Sequence, residues 1–190
     1  MIPVGYMAKR VYKKAEQLKV RAITASFEKM PQVVDVYSVS NCLSKDFADY
    51  IRYWKHNGYW LFDSPEIIKN LAKENSIRLE ETSLFYYETH EMEFDGERWV
   101  PWSSDPSFPT NIVLPVGKEF QGFDVVCFSL KTSPECSPLS CNGIAEEVQT
   151  NSHCLLDTFA EAETSLNDGK FENAEPGPYR IFAVYSVDWS

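Results

Sequence analysis

The sequence predicts an α+β fold: a single compact domain, residues 1–190, with a mixed or mostly antiparallel sheet and three to five helices. Three observations lead there. The 190 residues are 44% hydrophobic and 14% aromatic, enough apolar mass to bury a core without disulfide staples. Helical three- and four-residue spacing occurs in some stretches, while strand alternation dominates the middle and the end. Neither an internal repeat nor a linker long enough to divide the chain is legible, so the elements belong to one unit.

Taken in order, residues 6–19 place Tyr6, Met7, Val11, Ala15 and Leu18 at helical steps, and the basic segment 1–21 reads as a first helix. Val33 to Ser40 is β-branched, aromatic and short, with apolar residues on both faces, as a central strand would have. Phe47, Tyr50, Ile51 and Trp54 form one stripe of an amphipathic helix over 46–55, closed by Asn57-Gly58. Ser64-Pro65-Glu66 supplies an N-cap, a proline at the first helical position and a carboxylate near the positive helix end, opening a helix to about Glu74. Alternation from Leu84 to Phe94, then Asp95-Gly96, then Glu97 to Trp102 predicts a hairpin with a type I′ turn. Phe123 to Leu130 and Tyr179 to Val187 read as strands, and Asp157 to Asn167 as a helix closed by Asp168-Gly169. Residues 132–154 form an irregular cysteine-containing segment, with a short helix expected from Asn142.

The net charge of −10 is unevenly spread. Six basic residues stand against Glu16 alone in residues 1–21, whereas 78–105 and 118–190 are strongly acidic, and 106–117 carry no charge. An acidic body repels a phosphate backbone, so nucleic acid is an improbable partner despite the basic start, and a basic protein is the expected one. No apolar run is long enough to cross a bilayer, and the start lacks a secretory apolar region, which predicts a protein with no membrane association and a cytoplasmic location. Five cysteines at irregular spacing read as reduced thiols.

Three constellations could carry chemistry. Cys141, at the start of the helix expected from Asn142, would have its thiolate stabilised by the positive helix end and by His153, against the opposing charge of Glu135, Glu146 and Glu147. The alternative is that Cys136 and Cys141 are small hydrophobes pinning a proline-containing loop. Zinc on Cys136, Cys141, His153 and Cys154 is disfavoured by the spacing and by the diverging side chains of adjacent His153 and Cys154, so no metal and no cofactor are expected. Glu88 and His90 share a face of an alternating strand, the arrangement in which a carboxylate orients an imidazole for acid–base work; a solvated strand edge is the competing reading. Tyr53, Tyr59, Trp60, Trp99 and Trp102 are the candidate binding aromatics, since Tyr and Trp anchor interfaces.

The sequence thus favours a macromolecule-binding protein with an acidic, aromatic-rich surface, a physics shared by immunity and antitoxin proteins. The competing reading is an enzyme acting on a small molecule through Cys141 with His153, or Glu88 with His90. No dinucleotide fingerprint, Walker loop, nucleophile elbow or EF-hand loop is present.

Overall fold

A computed structural model describes residues 1–13, 30–40, 57–106, 108–128 and 136–189. The expected helix over 46–55, Tyr53, Cys42 and the rest of the basic segment beyond residue 13 lie outside the described residues. An antiparallel sheet dominates. Its strands are β1 (Ile2–Lys9), β4 (Ser83–Thr89), β5 (Met92–Phe94), β6 (Trp99–Pro101), β7 (Glu119–Cys127) and β8 (Tyr179–Val187). The central order is β1-β4-β8-β7; β5 continues the line of β4 along β8, and β6 pairs with β5. A separate two-stranded ribbon joins β2 (Tyr12–Lys13) to β3 (Asp35–Val36). Among the described residues the helices are α1 (Pro65–Glu74), the one-turn α2 (Pro138–Cys141) and α3 (Phe159–Asn167), with a 3-10 turn over Ile144–Glu146. The α+β class holds, and the sheet is antiparallel throughout. No helix among the described residues is long and apolar enough to cross a membrane.

Local chemistry sets the element ends. The Ser64 hydroxyl accepts from Ile67 N–H at the start of α1, with Pro65 in the first turn. At α3, Thr158 and Glu161 close a capping box. β8 matches the expected Tyr179–Val187 span, with Tyr179 to Val184 all buried because neighbours flank it on both edges.

Four expectations are corrected. Tyr6 to Lys9 belong to β1, not to a helix: Val4 to Lys9 are all buried, so the strand is covered on both faces and no helical stripe exists. The predicted strand over 33–40 shrinks to Asp35–Val36, paired with β2 rather than set in the sheet, and Val34 is 60% exposed. The hairpin forms, but only Gly96 of its two central residues has a positive φ, and the Asp95 carboxylate takes the N–H groups of Glu97 and Arg98; this is not a type I′ turn. The chain also contains an internal structural repeat.

That repeat pairs β1, α1 and β4 with β7, α3 and β8. Gly5 and Gly122 sit at equivalent bulges, facing Tyr87 and Val184, with φ of 121° and 141°. A Cβ at Gly5 would lie 2.5 Å from Phe62 O, and at Gly122 2.7 Å from Leu155 Cβ, so each glycine lets a loop approach the strand. The next residue, Tyr6 or Phe123, exchanges both backbone hydrogen bonds with Phe62 or Leu156. Asn57 donates to Val4 O and accepts from Tyr59 and Leu61 N–H; Asn151 donates to Gln121 O and accepts from His153 and Leu155 N–H. Trp60 and Cys154, three residues after each asparagine, have φ of 58° and 60°. Ser64 and Thr158 then cap α1 and α3. The halves meet where β4 pairs antiparallel with β8, about a local twofold normal to the sheet.

Candidate functional site

An open cleft of about 640 Å³ lies at the seam between the halves. Tyr6, Pro65 and Glu66 line it from the first half; Lys118, Glu119 and Ser186 to Asp188 line it from the second. A strap, residues 111–117, forms the remaining wall. Its start is fastened by Asp63, whose carboxylate accepts from Asn111 N–H at 2.8 Å and whose carbonyl accepts from Val113 N–H at 2.9 Å. The Tyr6 hydroxyl donates to Val113 O at 2.7 Å. With its backbone held, the strap leaves its apolar side chains outward: Val113 is 48% exposed, Leu114 63%, and Val116 wholly so.

Cross-strand pairing puts Tyr86, Glu88, Tyr185 and Ala183 on one face of the sheet at the seam. The Tyr185 hydroxyl donates to Glu88 Oε2 at 3.1 Å, and Lys118 pairs with Glu88 Oε1. The Lys118 ammonium lies 4.0 Å from the Tyr185 ring centroid and 5.1 Å from that of Tyr86. Burial, then Glu66, pushes the Tyr6 hydroxyl up to about 12. Burial, then Glu88, pushes Tyr185 up to about 12 and Tyr86 well above the ordinary phenol value. All three therefore stay neutral, acting as ring faces and hydroxyls rather than as bases.

Glu88 thus belongs to a cation-holding cluster, and no hydrogen bond joins it to His90. The strand leaves its line after Thr89, and His90 turns to Trp99 and Phe159, at centroid distances of 5.6 and 4.8 Å. Trp99 donates its Nε1–H to Asn167 Oδ1 at 3.1 Å. Tyr59 is buried, and Trp102 packs between it and Arg180, whose guanidinium lies 3.2 Å from the Trp102 ring centroid and 4.0 Å from that of Phe128. Arg180 donates from Nε and Nη2 to Glu93 Oε2. Of the expected binding aromatics, Tyr59 and Trp102 surround a buried arginine, Trp99 covers His90, and Trp60 is half-buried.

The thiol constellation is also rearranged. Cys141 ends α2, at its carbonyl end, and the 3-10 turn that follows starts only at Ile144 behind Gly143, so the positive helix end expected to activate it does not lie at Cys141. Its Sγ lies 3.7 Å from Ser40 Oγ, whereas His153 stacks on Tyr37 with Nδ1 2.5 Å from Asp35 Oδ1, and no hydrogen bond links the two. Burial, then Asp124, pushes the Cys154 thiol up to about 12. Cys136 and Cys154 are buried, and among the described residues no group of three His, Cys, Asp or Glu could hold a metal ion. Nearby, Lys9 donates to the carbonyls of Ser38, Val39 and Ser40 at 2.6–2.7 Å. Asp124 Oδ2 accepts from Val39 N–H and Ser137 Oγ–H at 2.7 and 2.6 Å. This buried network ties the 38–40 turn to both outer strands.

Sequence reasoning found Glu88 but not Tyr6, Tyr86, Tyr185, Lys118 or the strap. One signal was present: Ile112-Val113-Leu114-Pro115-Val116, an apolar run without strand or helix period and broken by proline, inside the uncharged stretch. Compared with known protein families, characterised proteins and solved structures, the chain shows no significant match.

Proposed function

We propose that the protein binds another protein, taking a basic segment with apolar anchors into the seam cleft. The observation that carries this is the strap, whose outward Val113, Leu114 and Val116 stand beside Glu66, Glu119 and Asp188, all three exposed. Solvated apolar side chains offer contact area, and the acidic rim selects and steers a cationic partner. Among the described lining residues the one cation is Lys118, already opposed by Glu88. This keeps the acidic surface expected from composition and places it at the cleft instead of on the hairpin aromatics.

Two peptides of equal length, one alternating Lys and Leu and the other Glu and Leu, test this by amide NMR. The Lys–Leu peptide is expected to shift signals of residues 113–119 and 186–188, and Leu114→Asp/Val116→Asp to weaken it about tenfold, the scale of one or two lost anchors. Equal shifts from both peptides, or none in this region, would reject the proposal. The competing reading, a thiol-dependent enzyme, is supported by the His153–Asp35 pair, which holds the imidazole as a general base requires. Among the described residues it lacks a nucleophile in hydrogen-bond contact with that imidazole.

A further inference from the structure

We infer that Tyr86, Tyr185 and Glu88 form a receptor for a lysine side chain of the partner, and that Lys118 occupies it as a built-in competitor. The inference rests on the docking proposal for its source of lysine, and it assigns the cleft its specificity.

The cluster has the parts that ammonium recognition needs. Two ring faces lie within 4.0 and 5.1 Å of the cation, and Glu88 accepts from it through Oε1 while Oε2 is held by the Tyr185 hydroxyl. The parts do not depend on Lys118 for their position. Tyr86 is fully buried, flanked by the Tyr6 ring at 5.0 Å, and Tyr185 leans on Phe120 at 5.5 Å; both belong to the central strand pair. The Tyr86 hydroxyl is buried close to Glu88 and makes no well-formed hydrogen bond.

Lys118 is a replaceable occupant. It follows Gly117 at the end of the strap, lines the cleft and keeps 34% of its side chain exposed, while the Glu88 side chain behind it keeps 16%, so an incoming ammonium reaches that carboxylate as Lys118 swings out into the cleft. Displacement exchanges one Lys–Glu pair for another, with no net loss of ion pairing. A tethered competitor lowers apparent affinity by its effective concentration, which makes removal of Lys118 the informative change.

The probe is Nα-acetyl-lysine amide, titrated into wild type and Lys118→Gln carrying 13C-labelled tyrosine rings, with circular dichroism to establish the fold; Lys118→Met substitutes if the Gln variant does not fold. The variant is expected to bind at least about tenfold more tightly than wild type, with two tyrosine rings shifting, and Lys118→Gln/Glu88→Gln to lose the response. Tetramethylammonium, which has ring affinity but no N–H for Glu88, is expected to bind the variant more weakly than the lysine probe. A folded variant with no ring response, or one preferring tetramethylammonium, would overturn the receptor. The probe has no apolar anchors, so failure here with Lys–Leu peptide binding intact discards the receptor alone, and the converse discards the docking proposal.

Discussion

Beside Tyr6 and the start of α1 lies an open cleft, while beside Phe123 and the start of α3, the equivalent place in the second half, the space is filled. The residues at matching positions explain the difference. Three places beyond the residue facing each glycine stand Val187 and His90; Val187 lines the open cleft, whereas His90 packs against Phe159 and Trp99. Trp99 comes from the β5–β6 hairpin, which follows β4. One repeated frame therefore leaves an open space beside Val187 and a filled one where the hairpin's Trp99 packs on His90. The shared frame is a matter of backbone geometry, and the copies differ in what fills the space beside it.

The largest expected effect concerns such a difference on the other face of the sheet. Met7 in β1 corresponds to Asp124 in β7, both fully buried. Burial raises the Asp124 carboxyl to about 7 despite hydrogen bonds from Ser137 and Val39. Between its ordinary value near 4 and 7, the folded state keeps a proton that the unfolded state has lost. Stability from this group is thus fully present below pH 4 and falls as pH rises, by at most about 1.4 kcal/mol per unit, or roughly 4 kcal/mol in total. Asp124→Asn keeps an acceptor for both hydrogen bonds and cannot ionise. Urea unfolding from pH 4 to 8 is expected to show the variant gaining on wild type up to about pH 7 and holding that gain above it, and profiles parallel over the whole range would remove Asp124 as a titrating group.

How much of this could be read beforehand follows from where the constraints lie. The Ser64-Pro65 start of α1, the Asp168-Gly169 close of α3 and the span of β8 were legible, because each depends on adjacent residues. β1 was misread because a strand buried on both faces has no polar period to betray it. The repeat hid because its frame requires backbone geometry rather than side-chain likeness. Two glycines with positive φ and Asn57, Leu61 and Asp63 against Asn151, Leu155 and Asp157 are nearly all that the copies share locally. For the site, Glu88 was legible from its strand, but Tyr185 and Lys118 reach it from distant segments, and no local pattern records that meeting.

Next in size are the two asparagines, whose replacement sharpens the equivalence itself. Each serves two backbone N–H groups and one strand carbonyl, so Asn57→Ala and Asn151→Ala orphan three equivalent groups, and Asn57→Ala also removes a hydrogen bond to Asp63 Oδ1. Asn57 is 2% exposed and Asn151 half-buried, so water relieves part of the second loss. Expected costs are about 3 and about 2 kcal/mol by urea unfolding. A negligible cost at either position would mean that its loop is held by packing and that the shared geometry is incidental.

The smallest effect tests the plug. Trp99→Ala removes ring contacts to His90 and Phe94 and the hydrogen bond to Asn167, and reopens the second space beside Phe159. Because Trp99 is half-buried, the cost falls below that of a core tryptophan, about 2 kcal/mol. Leu114→Ala, on the open strap, is expected to stay within about 0.5 kcal/mol, since that side chain is mostly solvated. Urea unfolding of the two variants compares the sites directly. If both cost the same, the two spaces do not differ in the way their side chains imply. If Trp99→Ala alone destabilises, Trp99 is a structural residue that fills the hairpin side, and Leu114 stands on a surface that folding does not need.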